Sequence, residues 1–336
     1  HCSRKVYEMK ILLAIVIGLL AVLGAALTAL VVRFRRYQQQ ADEAWDSFEP
    51  QPLDLEPVQR LIITPLVDAH TAGETFAGEA GVSYLVEAGD TRVLFDLGLN
   101  AGGESPSTLQ RNAAVLGVDL DKVDAIVISH RHLDHVGGLR AQLAHSFVLP
   151  TSQLEQGSAP VYLPEPLEHL TADTQVVETP QHLTPDIATI GPISRALFLM
   201  GATPEQALAA NVAGKGIVLV VGCGHQGVRR IVERAEALFD EPLYGLVGGL
   251  HYPVTGSAVQ RIAGSDRPPW QSLKKEDVHV AIRYLKSKGL KRMALSPHDS
   301  CDWALDAFRE AWGTDFTVVT VGQPIEFSAN GQEERA

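Results

Sequence analysis

Residues 128 to 139, ISHRHLDHVGGL, set three imidazoles and a carboxylate within six consecutive positions, directly after the apolar run VDAIVIS. In an extended segment, side chains two apart point the same way, so His130 and His132 can grip one cation. Asp134 and His135 follow where the chain turns ahead of Gly137 and Gly138, within reach of a second cation beside the first. These nitrogen and oxygen donors suit zinc, with iron or manganese as alternatives, and imidazoles bind only when neutral, so occupancy should fall in acid. A histidine-rich surface loop would show the same letters; the position at a strand end speaks for the metal.

A second stretch poses a choice. GCGHQG, with Gly222, Gly224 and Gly227, lies between the apolar run GIVLVV and the helix-like VRRIVERAEALF, and Asp240 follows at the distance of a ribose-binding acid. That pattern alone reads as a dinucleotide loop. Nothing else in the chain builds a doubly wound nucleotide domain, so no NAD is expected, and the question becomes whether His225 belongs with the first cluster.

The elements that must position these residues read as short apolar runs between turns. RLIITPLVD, VSYLVEAG and TRVLFDLG are three strands, the last two joined at the Ala-Gly-Asp turn of residues 88 to 90. Further strands are expected at VDAIVIS, VYL, IVLVVG, LYGLVGG, RMALS and TVVTVG, with helices at TLQRNAAVLGV, VRRIVERAEALF, KKEDVHVAIRYLKSKG and DWALDAFREAW. Strand-rich blocks with interspersed helices predict a layered α/β (α+β) sandwich. The proline-rich stretches 150 to 166 and 264 to 272 read as surface loops.

The N-terminus is different in kind. After a flank of residues 1 to 10, residues 11 to 32 form 22 positions without a charge, enough to span a hydrocarbon core of about 30 Å as a single transmembrane helix. Residues 33 to 58 are polar with three prolines and read as a juxtamembrane linker, and the globular domain runs from 59 to 336. Counted from Met9, Arg33, Arg35 and Arg36 outweigh Lys10, which places the domain in the cytoplasm by the positive-inside rule; Arg4 and Lys5, when counted, cancel that bias. The first forty residues carry a net +5 within a chain of net −12, which leaves −17 on the remainder. So acidic a domain argues against a nucleic-acid partner. Three scattered cysteines make no disulfide framework.

H-x-H-x-D-H at a strand end resembles the signature of the metallo-β-lactamase superfamily. The likeness extends through GVSYLVEAGDTRVLFDLGLN, QRNAAVLGVDLDKVDAIVISHRHLDHVGGL, VLVVGCGHQGV, VGGLHYPV and LSPHDSC, over about residues 60 to 330. In order and spacing these runs resemble the subgroup like 7,8-dihydropterin-6-methyl-4-(β-D-ribofuranosyl)-aminobenzene-5'-phosphate synthase. The resemblance implies a four-layer αββα sandwich with two divalent metal ions held by His130, His132, Asp134, His135, His225 and His298. In the superfamily the strand that GIVLVVG resembles ends in a metal-binding aspartate; the subgroup has glycine-cysteine-small-histidine there, which makes His225 the ligand. Two readings stand for Cys223, a thiolate ligand or a packed thiol. His251 resembles a subgroup histidine and could be a ligand, a proton donor or an anion-binding group. Asp96 is either the aspartate that orients a ligand histidine or a turn residue. His182 is the tempting candidate for the superfamily's usual third histidine, whereas His70, His145, His169 and His279 read as ordinary polar histidines and His1 lies outside the fold.

The implied chemistry is metal-assisted hydrolysis of a small-molecule ester, lactone or phosphoester, with Asp134 receiving the proton of the attacking water and His251 protonating the leaving group. A pterin-pathway transferase and a non-catalytic metal-binding module are the alternatives.

Overall fold

The computed structural model describes residues 2–329, so His1 lies outside the described residues. Among them are two seven-stranded sheets. The first grows from the expected hairpin, Ser83–Ala88 against Thr91–Phe95, and runs in spatial order Ile325–Ser328, Arg60–Val67, the hairpin, Ala125–Val127, Val161–Leu163 and Thr174–Val176. The second runs Phe316–Val318, Arg292–Leu295, Leu243–Gly248, Gly216–Val221, Leu208–Val212, Ile187–Thr189 and Gln181–His182. Its first four strands are parallel, because a helix crosses back over the sheet in each of the three connections between them: Val228–Leu238, Lys275–Ser287 and Asp302–Trp312.

Alternation along the strands creates the layers. Val86, Phe95 and Val127 of one sheet pack against Val218, Val220 and Val247 of the other. Leu219, Leu246 and Met293 face outward into the three helices, joined by Ile231, Leu285 and Phe308. On the opposite side Leu85, Leu94 and Ile126 pack against the helix Thr108–Leu116. This is the expected αββα sandwich. Truncating a fully buried ring such as Phe95 to alanine would cost about 3–5 kcal/mol. The helix Thr108–Leu116 starts where Ser107 and Gln110 form a reciprocal capping box and stops at Gly117.

The expected strand at TVVTVG is shorter than its sequence, since the ladder holds only Phe316–Val318. The hairpin Ile193–Leu197 with Gly201–Glu205 forms a separate two-stranded sheet. A larger difference lies at the N-terminus. One helix, Cys2–Asp46, continues straight through the start of the expected linker. Its stretch Tyr7–Asp46 is long and apolar enough to cross a membrane, and its most apolar part is exposed. Beyond residue 30 one stripe turns inward: Leu30, Phe34, Tyr37, Ala41 and Trp45 are buried or partly buried. That spacing of three and four residues is a helical face, and it packs on the separate hairpin. Only residues 47 to 57 remain without regular structure, and Leu55 within them is buried in the core.

Candidate metal centre

Parallel strands deliver their following residues to one edge of the sandwich. Thr91–Phe95 ends at Asp96, Ala125–Val127 leads to Ser129 and His130, Gly216–Val221 to the GCGH loop, Leu243–Gly248 to His251, and Arg292–Leu295 to Ser296 and His298. The C-terminal edge of parallel strands is where α/β folds build their sites.

Asp96 organises the first cluster. Its carboxylate accepts the Ser129 amide (2.6 Å) and the Ser129 hydroxyl (2.7 Å), and lies 2.7 Å from His135 Nδ1. With its single proton directed to Asp96, the Ser129 hydroxyl accepts from His130 Nδ1 at 2.9 Å. In their neutral forms both imidazoles thereby carry the proton on Nδ1 and turn Nε2 inward, the arrangement of a metal-ligating histidine with a fixed tautomer. His298 repeats the device. Its Nδ1 lies 2.6 Å from the Ser296 hydroxyl, which donates to Asp68 (2.6 Å), and Tyr84 donates to the same carboxylate oxygen (2.8 Å).

The GCGH loop is held from beneath by Glu205, a fully buried residue of the separate hairpin. Its carboxylate accepts the amides of Cys223 and Gly224 (both 2.9 Å) and of His225 (2.7 Å). The backbone N–H groups that a dinucleotide phosphate would use are therefore committed to an internal anion. The glycines serve close approach: a Cβ on Gly222 would sit 2.4 Å from Ser129 Oγ, and Gly224 adopts φ +71° against Leu250.

Two donor groups result. The ligand atoms of His130, His132 and His225 lie within 4.8 Å of one another, and so do those of Asp134, His135, Cys223 and His298. Within the first, His130 Nε2 is 2.9 Å from His132 Nδ1. Within the second, Cys223 Sγ is 3.1 Å from both His135 Nε2 and His298 Nε2, and Asp134 approaches His135 Nε2 at 3.6 Å. Burial pushes His130, His225 and His298 well below the usual histidine range and His132 down to about 3, so all four are neutral near pH 7. His135 runs the other way: burial pulls it down, but Asp96, Asp134 and Glu205 together lift it to about 9. Burial also raises Cys223, Asp134 and Glu205, the last to about 7 despite its three N–H donors. Buried lone pairs facing one another, with His132 Nε2 and His225 Nδ1 lacking any hydrogen-bond partner among the described residues, fit a divalent cation.

His251 falls in neither group. Its ring lies 4.7 Å from that of His225 and both its nitrogens lack partners. Its backbone, at φ +51°, donates its N–H to Asp299 Oδ2 (2.7 Å), and burial lowers the imidazole to about 4. It lines a cavity of about 230 Å³ together with His225, Arg195, Tyr252 and Tyr284. His182 sits exposed on an edge strand, away from the centre. His70 and His145 are exposed, His169 stacks on Phe147 and His279 meets Trp303. Sequence reasoning missed Glu205, Ser129, Ser296, Asp68 and Asp299. A carboxylate closing an apolar run, the signal seen in LFD, was equally present in PLVD at Asp68, and serine shortly before histidine occurs in both ISH and SPH. Glu205 carries no such local mark.

The profile of the Metallo-beta-lactamase superfamily matches residues 77–166. Among solved structures, Tm1679, a metal-dependent hydrolase of the beta-lactamase superfamily, superposes with a TM-score of 0.55 at 21% identity, covering 80% of this chain and 99% of its own. The metallo-beta-lactamase fold protein YhfI of Bacillus subtilis gives 0.50 at 15% identity, covering 80% and 100%. The 7,8-dihydropterin-6-methyl-4-(beta-D-ribofuranosyl)-aminobenzene-5'-phosphate synthase of Methanocaldococcus jannaschii is 23% identical over 308 residues, 78% of this chain and 97% of that protein. The matched segment contains the first histidine cluster, and 80% of the chain superposes on each of these two solved structures. Residues 77–166 thus match the Metallo-beta-lactamase superfamily, and the described residues have the fold of its solved members.

Proposed function

We propose that this protein is a membrane-anchored, metal-dependent hydrolase of small-molecule esters, lactones or phosphoesters. The observation that carries the reading is the pair of adjoining donor groups beside a cavity. His130, His132 and His225 would hold one divalent ion; Asp134, His135, His298 and Cys223 would hold a second. Bound there, such ions lower the pKa of water and polarise an acyl or phosphoryl oxygen. The half-buried Asp134 carboxylate takes the proton of the attacking water, and His251, facing the cavity, serves the leaving-group oxygen. Residues 11 to 32 are the span, and, counted from Met9, the arginines after it favour the cytoplasmic side for the domain.

A pterin-pathway transferase is favoured by one observation, the 97% coverage of the Methanocaldococcus jannaschii synthase. One experiment separates the readings. Full-length protein in detergent is assayed for bound metals by plasma mass spectrometry and for hydrolysis of an ester, lactone and phosphodiester panel. About two metals per chain with metal-dependent hydrolysis supports the proposal. Metal with condensation of pterin and phosphoribosyl substrates, and no hydrolysis, supports the transferase. Metal with neither activity leaves a non-catalytic module.

A further inference from the structure

Three cavities run in series along one side of the domain, and the first is walled by the N-terminal helix itself. It encloses about 250 Å³ between Val31, Phe34 and Arg35 of that helix and Phe198, Pro268 and Trp270. The second, about 670 Å³, is bordered by Gln38, Arg195, Trp270 and Lys274. The third is the cavity at His225 and His251. Asp266 and Arg267 line all three, so the cavities adjoin.

The opening lies where the span ends. Val31 belongs to the uncharged run, and Gln38 is about 9 Å beyond residue 32 at a helical rise of about 1.5 Å per residue. The domain is fixed at that height. Arg33 donates to the Leu199 carbonyl (2.9 Å), Phe34 meets Phe198 edge to face at 5.3 Å, Arg230 pairs with Asp42, and Arg230 and Arg234 lie over Trp45. The tip of the separate hairpin, Leu199 and Met200, is consequently held level with the end of the span, with both side chains exposed. Trp270, 60% exposed, packs on Phe198 beside them at 5.6 Å. Exposed Leu, Met and Trp side chains among Arg33, Arg35 and Arg36 have the composition of a membrane interface.

Polarity changes along the path. Apolar and charged side chains alternate along it: Val31, Phe34, Phe198 and Trp270 stand beside Arg35, Asp266 and Arg267 at the bilayer end; the middle is crossed by the ion pairs Arg195–Asp266 (2.6 Å) and Arg267–Asp277 (2.9 Å); the inner end sets Val228, Leu273 and Tyr284 beside the two histidines and Arg229. An entrance at the bilayer surface suits a solute that resides there. We infer that the substrate is a bilayer-resident amphiphile, an ester with a long acyl chain, which enters between the N-terminal helix and the 264 to 272 loop and presents its ester group to the metal centre. The inference rests on the membrane-anchored hydrolase reading above. In the reaction, water supplies the oxygen added to the acyl carbon and the carbon–oxygen bond to the alcohol breaks. The alcohol oxygen takes one proton of that water, and the products are a fatty acid and a free alcohol.

The test uses full-length protein in phosphatidylcholine nanodiscs with two probes. A photoreactive palmitate ester bearing a diazirine on its chain is cross-linked and mapped by mass spectrometry, and 4-methylumbelliferyl butyrate and palmitate are compared for hydrolysis. We expect cross-links at residues 264 to 284 and near Phe198, reduced about tenfold by Trp270→Asp and unchanged by Leu170→Asp, a substitution at a fully exposed site elsewhere. We also expect a kcat/KM about tenfold higher for palmitate than for butyrate. Cross-links confined to residues 11 to 30, or equal turnover of the two esters, would overturn the inference. Cross-links in the groove without hydrolysis of either ester would retain amphiphile binding and overturn the hydrolase reading, so the two failures are distinguishable.

Discussion

The two donor groups stand side by side yet handle protons in opposite ways. The first is made of imidazoles alone, all neutral because burial disfavours their charged form. The second mixes a carboxylate, a thiol and two histidines, and one of these, His135, is held protonated by the acids around it. A cation entering the first group meets ready lone pairs; one entering the second must displace protons from His135 and Cys223. Adjacent sites in one fold can thus differ in affinity and pH response through their supporting residues alone.

The largest effect should come from breaking the first group at either of its ends. His132→Ala and His225→Ala remove donors that are 93 positions apart in sequence but lie within reach of one cation, so each should lower hydrolysis by about 10³-fold or more, and the double variant should be no worse than either single one. Additive losses in kcat/KM would show that His225 belongs elsewhere.

Acid should then separate the groups. Protons do not compete at His132 until pH falls towards its value of about 3, so the first group keeps its metal at pH 6. At the second, His135 at about 9 and the raised Cys223 are protonated when free, so metal affinity rises with pH, by about tenfold per unit for each proton released, and is lost first as pH falls. Dialysis between pH 8 and 5.5 followed by metal analysis should show stoichiometry dropping from two towards one; simultaneous loss at both groups would contradict the asymmetry.

Asp96→Asn sharpens the same contrast at smaller scale. It keeps the shape but removes the charge that fixes His135, and should weaken metal at the second group by about 10–100-fold while the first group changes less. Competition with a chelator measures this directly. Ser296→Ala, which removes only the hydroxyl linking His298 to Asp68, should cost about tenfold in the same assay. An effect of Ser296→Ala larger than that of Asp96→Asn would reverse the assigned importance of the two supports.

The first cluster was legible because its donors are neighbours in sequence and the backbone periodicity of an extended segment followed by a turn dictates where they point. The run of strands and helices was legible for the same reason, since burial follows alternation and helical spacing. The stripe Phe34, Tyr37, Ala41 and Trp45 carried that spacing too, but prolines at 50, 52 and 57 made the whole of residues 33 to 58 read as linker. Glu205 could not have been found, because nothing near it in sequence distinguishes it from a surface acid until the hairpin carries it beneath the GCGH loop.

The sequence by itself determined the succession of strands and helices, the apolar helix and the loop of residues 130 to 135, all set by interactions among residues close along the chain; the αββα layering was implied by the family resemblance. Only the tertiary structure decided that Cys223 joins the second group, that His251 stands beside His225 outside both groups, and that the N-terminal helix walls a path to the centre. Those positions depend on strand order and on how far each strand end reaches across the sheet edge. The packing of two sheets sets both, and no local periodicity encodes them.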